Sequence, residues 1–168
     1  WYPSISRPLD AISHELCGWL VDNEFDPTNL DQRGDNQNTA LMQACREGNF
    51  AIAHELVMAG AGIDLVNKDG NNALWMACHS KNARIVKLLL DNDIDMDQQN
   101  DHGATALIYA VSIGHNPLVA QLLEAGADTS PTTLDDFSVL DVAASTSTLR
   151  LLQHHILPDN HPVNRFVA

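Results

Sequence analysis

The 168-residue chain predicts an all-α solenoid of stacked helix-turn-helix units, and three observations predict it. Thr39-Ala40-Leu41, Asn72-Ala73-Leu74, Thr105-Ala106-Leu107 and Ser138-Val139-Leu140 recur every 33 residues, each followed at one offset by Ala44, Ala77, Ala110 and Ala143. Apolar residues then recur at helical spacing: Ile52/Leu56/Val57, Ile85/Val86/Leu88/Leu89/Leu90 and Leu118/Val119/Leu122/Leu123. The connecting stretches 60–70, 93–103 and 126–136 have equal length and are rich in Gly, Asp and Asn. A fixed period of this size means units that each bury one face on a neighbour, and such stacks build long binding surfaces.

Each element has a local cause. Residues 8–25 read as a helix, with Pro8 suited to its first turn. Ala11-Ile12-x-His14-Glu15-Leu16 echoes Ala51-Ile52-x-His54-Glu55-Leu56, so this helix mimics a second helix and caps the stack. The stretch 26–38 is a polar loop with Pro27, Gly34 and three Asn. A Thr or Ser at the repeated position is a helix N-cap, its hydroxyl satisfying an orphan backbone N–H. Leu41, Leu74, Leu107 and Leu140 are expected to point into the stack, with the repeated Ala where helices approach closely. Cys45, Cys78, Val111 and Ala144 share one small, buried position. Gly60 and Gly126 end two second helices, and Asp93 at the equivalent place in the second unit loosens that helix end. The last unit drops about three residues between its helices, as a terminal cap can, and 158–168 with Pro158 and Pro162 reads as a tail or strap.

The pattern resembles the ankyrin repeat, whose signature is T-P-L-H-x-A at the same period. The third unit matches best, through Gly103-Ala104-Thr105-Ala106-Leu107, Ala110, Gly114-His115, Leu122-Leu123 and Gly126-Ala127-Asp128. The units fall at 34–66, 67–99, 100–132 and a degenerate 133–157, between an N-terminal cap at 1–33 and a tail at 158–168. The resemblance implies four antiparallel helix pairs joined by protruding β-hairpin fingers. Ala replaces Pro at three helix starts, and Met42, Trp75, Ile108 and Asp141 replace the His, so its polar network is lost. This style of repeat looks like that of bacterial members.

Composition excludes several classes. No apolar run approaches the roughly 18 residues of a membrane helix. The net charge is −13, with ten acids against three bases over 1–66, eight against four over 67–132, and four against two over 133–168. So acidic a chain is repelled by phosphate backbones and anionic lipid, which argues against nucleic acid and membranes as partners. It attracts a basic protein surface, or serves only to keep a solenoid dissolved. Cys17, Cys45 and Cys78 read as free thiols rather than a disulfide or metal site, which leans towards the cytoplasm. The chain starts at Trp1, so it reads as a processed or excised piece, and a periplasmic or secreted location stays open.

No catalytic motif is complete in the sequence. His14-Glu15 and His54-Glu55 lack the second His of a zinc-protease helix, since Gly18 and Met58 stand there. Asp93-x-Asp95-x-Asp97 opens like a calcium loop, but Gln98 and Ala104 occupy its required Gly and Glu positions. His154, His155 and His161 form the only local His group, and adjacent helical residues do not converge. The chain is therefore expected to be no enzyme, with no cofactor and no metal.

In proteins similar to this one, partners are gripped by finger tips and the exposed side of each first helix. Carried over by position, that surface comprises Asp35, Asn36, Asn38, Lys68, Asp69, Asn71, Gln99, Asp101, His102, Leu134, Asp135 and Phe137 on the fingers. Arg46, Glu47, His79, Tyr109 and Ile113 come from the helices. Trp75 lies on the same helix rows, as an anchor or as a filler of the missing His space. The implied function is a protein-binding scaffold with an acidic concave face, acting as an inhibitor, immunity protein or adaptor. The alternative is the non-catalytic recognition part of a larger enzyme, toxin or effector.

Overall fold

A computed structural model describes residues 12–157. Its helices are α1 (His14–Asp22), α2 (Ala40–Glu47), α3 (Phe50–Met58), α4 (Ala73–Ser80), α5 (Ala83–Leu90), α6 (Ala106–Ser112), α7 (Asn116–Glu124) and α8 (Thr146–Ile156), with a single 3-10 turn at Asp35–Gln37. Tight turns fold α2 onto α3, α4 onto α5 and α6 onto α7. The first helices α2, α4 and α6 stack in one row, and α1, α3, α5, α7 and α8 stack in a second.

The caps explain where these helices begin. Oxygens of Thr39, Asn72 and Thr105 accept from the N–H groups of Met42, Trp75 and Ile108 at 3.3, 3.2 and 3.2 Å. All three caps are buried, so no water could replace them. A second series, Asn49, Asn82 and His115, starts the second helices by accepting from Ile52, Ile85 and Leu118. Between the rows lies the core, where Leu41, Leu74, Leu107, Ala44, Ala77 and Ala110 are sealed from solvent. Cys45 and Cys78 share that depth. Burial disfavours their thiolates, pushing Cys78 up to about 12 and Cys45 higher still.

The structure amends several expectations. Of four expected helix pairs, three form, because the fourth unit keeps only its second helix, α8. Ser138 begins a helical turn, with its hydroxyl and N–H bonded to the Asp141 carboxylate. The next N-cap, Ser145, arrives too soon for a helix to extend between them. Consequently Val139, 2% exposed, fills the core place expected of Leu140, which is 39% exposed. Ala143 is half-buried and Ala144 exposed, unlike their equivalents.

The capping helix is shorter than 8–25, running from a Ser13 cap to Asp22. It does act as an outer helix, with Leu16 and Leu20 buried and the Ser13 hydroxyl donating to Glu55 at 2.7 Å. Its expected first turn at Pro8 and the expected strap at 158–168 lie outside the described residues. The 26–38 loop is not wholly at the surface, since its Leu30 is buried, as is Phe25 just before it. The expected β-hairpins are tight turns, and no strand forms among the described residues.

Asp93 takes the same left-handed conformation (φ 59°) as Gly60 and Gly126 (82° and 95°). The hydrogen bonds that close its helix, Asp93 N–H to the Leu90 carbonyl and Ile94 N–H to that of Leu89, are 3.2 and 3.3 Å. The bonds made after Gly60 and Gly126 are 2.9–3.0 Å. The helix end is completed, slightly stretched, by a residue that bears a Cβ.

Candidate functional site

Three of the four fingers are turns pinned by a polar side chain at the base, and the first, with Gly34 there, is closed at that position by its backbone, Gly34 N–H donating to the Asn38 carbonyl at 2.9 Å. Asn67 Oδ1 accepts from the N–H groups of Asp69 and Asn71 at 3.0 Å. Asn100 does the same for His102 and Ala104 at 3.0 Å. In the last finger Thr133 Oγ1 accepts from Phe137 N–H at 3.2 Å. These bases stand one repeat apart and were not among the residues singled out from sequence. The common spacing of Asn67, Asn100 and Thr133, with Gly70 and Gly103 following the two Asn, is the signal that could have found them.

The fingers are also bonded to one another. Lys68 N–H donates to the Asn36 carbonyl, Asp101 N–H to that of Asp69, and Leu134 N–H to that of His102, at 2.9–3.0 Å. Side chains run beside this ladder, with Asn67 Nδ2 donating to Asn38 Oδ1 and Asn100 Nδ2 to Asn71 Oδ1, both at 3.0 Å. Gly70 is needed because a Cβ there would sit 2.8 Å from the Asp101 nitrogen, with the backbone at φ +76°. The row of fingers is thus one hydrogen-bonded edge that carries its side chains in fixed order.

Lower down, the carboxylates of Asp31, Asp64 and Asp97 accept from the N–H groups of Gly62, Asp95 and Asp128 at 2.6, 2.9 and 2.8 Å. Asp95 itself accepts from Asp97 N–H at 3.1 Å. The Asp93–Asp97 run therefore carries inter-repeat bonds and a left-handed turn. Among the described residues no three His, Cys, Asp or Glu side chains converge on a metal-sized space. His154 and His155 are exposed on α8, and His161 lies outside the described residues.

The predicted surface residues divide into two kinds. Asp35, Asn36, Lys68, Asp69, Asp101, His102 and Asp135 are exposed at the tips, as are Arg46, Glu47 and His79 on the helices. Leu134, Phe137 and Ile113 are apolar and 75%, 52% and 37% exposed. Asn38, Asn71 and Gln99 instead have bonds inside the edge, Gln99 Nε2 donating to the Gly103 and Thr132 carbonyls at 2.7 and 3.1 Å.

Tyr109 belongs to a cluster that the first-helix row brings together. Its ring lies 4.7 Å from that of Trp75, centroid to centroid, and its hydroxyl is 3.1 Å from His79 Nδ1. Burial raises the phenol's pKa above its ordinary value. Trp75 and Tyr109 are half-buried while His79 is exposed, so the cluster presents aromatic surface without being sealed. Trp75 stands where Met42 and Ile108 are buried in neighbouring units, so it fills the vacated His space and also reaches solvent.

Among the described residues no helix is long and apolar enough to cross a membrane. No curated protein matches the chain. The family model described as "Ankyrin repeats (3 copies)" matches residues 10–100 and again 41–133, stopping where the fourth unit loses its first helix. Proteins built of such repeats are typically non-catalytic. The chain belongs to the ankyrin repeat family, whose repeats are generic protein–protein interaction modules.

Proposed function

We propose that the chain is a recognition scaffold that grips a basic or mixed protein surface across its fingers and first helices, as an inhibitor, immunity protein or adaptor. The observation that carries this reading is the Trp75–Tyr109–His79 cluster, a partly open aromatic surface on the first helices. Aromatic side chains held at the centre of a groove are the usual energetic anchors of an interface. Around them the predicted surface holds Asp35, Glu47, Asp69, Asp101 and Asp135 against Arg46 and Lys68, an excess that speeds encounter with a basic partner. Phe137, Leu134 and Ile113 extend the apolar contact towards the last unit.

A pull-down from source extract with mass spectrometry identifies the partner. Trp75→Ala, Tyr109→Ala and Phe137→Ala are then compared with a variant carrying Asp→Asn at positions 35, 69, 101 and 135. Truncating a desolvated aromatic anchor should cost about 2 kcal/mol of affinity or more. The charge variant should slow association and flatten its salt dependence, with little change in dissociation rate. If none of these weakens binding while changes around Gln121 do, the partner uses the second-helix side and this reading is lost.

A further inference from the structure

We infer that the outer face between the first and second repeats is a separate site that binds an acidic peptide segment of a partner protein. One carboxylate would be taken by Arg84 with Lys87 beside it, and the adjoining aliphatic side chain would lie on Phe50 and Leu88. The site does not depend on the concave-face reading, since it lies on the other helix row and selects the opposite charge.

The sequence around it is unusual for this chain. Residues 70–90 contain no Asp or Glu, yet carry Lys81, Arg84 and Lys87, three of the nine cations in a molecule of net charge −13. The structure then pins the central one. Arg84 Cζ lies 4.0 Å from the centroid of the Phe50 ring, which packs against His54 at 5.7 Å. Among the described residues the ion pair formed is Lys87 to Asp91 at 3.0 Å, and no carboxylate reaches Arg84.

A guanidinium stacked on an aromatic face keeps its in-plane N–H fork free for a carboxylate, and the stack has already fixed its orientation. Lys87 and Asp91 are both well exposed, so their pair is weak and Lys87 can turn to an incoming anion. Phe50, His54, Arg84, Lys87, Leu88 and Asp91 line an open groove of about 330 Å³, with Leu88 half-buried in its wall. That volume suits a side chain or two. A phosphate polymer would carry many charges against the whole acidic chain, whereas a short acidic and aliphatic segment carries few, and within the groove it meets Arg84, Lys87 and the apolar wall, with Asp91 the one acid in the lining.

The test uses the full chain with ¹⁵N-labelled arginine, titrated with the acetylated, amidated peptide Gly-Leu-Glu-Leu-Glu-Gly. The expected result is a saturable shift of the Arg84 Nε–Hε resonance. The peptide with Gln in place of Glu should bind about tenfold more weakly, as loss of a charge-assisted pair implies. R84K, which keeps the charge and loses the fork, should weaken binding by a similar factor, and F50L should weaken it through the lost platform. Circular dichroism of each variant checks that the fold persists. Equal binding by the Gln peptide, or unchanged binding in both R84K and F50L, overturns the proposal. So does a shift reproduced by acetate or phosphate alone, which would make the groove an anion subsite only. A shift that grows with protein concentration before peptide is added overturns it in favour of a second copy of this chain.

Discussion

Replacing Asn67 by Ala should remove the bonds that hold one finger in shape and join it to the preceding one. Asn67 is buried, its Oδ1 accepts from Asp69 and Asn71 N–H, and its Nδ2 donates to Asn38 Oδ1, each at 3.0 Å. A net contribution of about 1 kcal/mol per bond gives roughly 3 kcal/mol. Asp69 is exposed, so water recovers part of its bond, and the expected cost is about 2 kcal/mol. Asn67→Asp retains both acceptor bonds and loses only the donor to Asn38, so it should cost about 1 kcal/mol. Lys68→Ala, an exposed neighbour, should stay within about 0.5 kcal/mol of the parent. Urea unfolding followed by circular dichroism measures all three, and hydrogen exchange at Asn71 N–H should quicken in Asn67→Ala alone. A cost below about 0.5 kcal/mol for Asn67→Ala would mean that these bonds do not hold the finger. An Asn67→Asp variant as costly as Asn67→Ala would mean the same of the two acceptor bonds.

Ala77→Leu adds three carbons where the helix rows leave no solvent-accessible space, and should destabilise by about 1–3 kcal/mol or more. The same change at half-buried Ala104, on a finger, should cost little, and equal losses in urea unfolding would contradict the packing described. Asp93→Gly relieves a Cβ held at φ 59°, partly offset by the freedom Gly gains when unfolded, so a gain of about 0.5 kcal/mol is expected. A raised urea midpoint at unchanged slope would show it. In native protein a maleimide should label half-buried Cys17 and spare Cys45 and Cys78, as counted by mass spectrometry. Because burial raises both thiol pKa values, their stabilisation is complete below the pH where unfolded thiols ionise, about 8.5. It is lost as pH rises towards 12, by up to about 1.4 kcal/mol per pH unit for each thiol. Cys78→Ala should therefore flatten the alkaline fall in stability, and an unchanged slope would mean that this thiol is not buried as described.

The sequence by itself determined the repeat, the first-helix caps and the inward faces, because those depend on contacts that recur at one spacing. Thr39, Asn72 and Thr105 sit just before apolar runs, and a local rule suffices to make them caps. The positions of candidate contacts were legible for the same reason, since fingers and first helices follow from register. What each contact does was not legible. Asn71 and Asp69 look alike as polar finger residues, yet the Asn71 amide oxygen accepts from Asn100 in the next finger while Asp69 stands at the exposed tip. The Trp75–Tyr109–His79 cluster joins residues a repeat apart, and the Arg84–Phe50 stack joins two outer helices. Only the offset with which neighbouring repeats stack could bring either together. The last unit shows the same division. Its Ser138 signal was readable, but whether a helix would grow from it was decided by the shortened connection to Ser145 and by Val139 filling the core ahead of Leu140. Local propensity starts a turn, and the tertiary stack decides whether it pays to continue it.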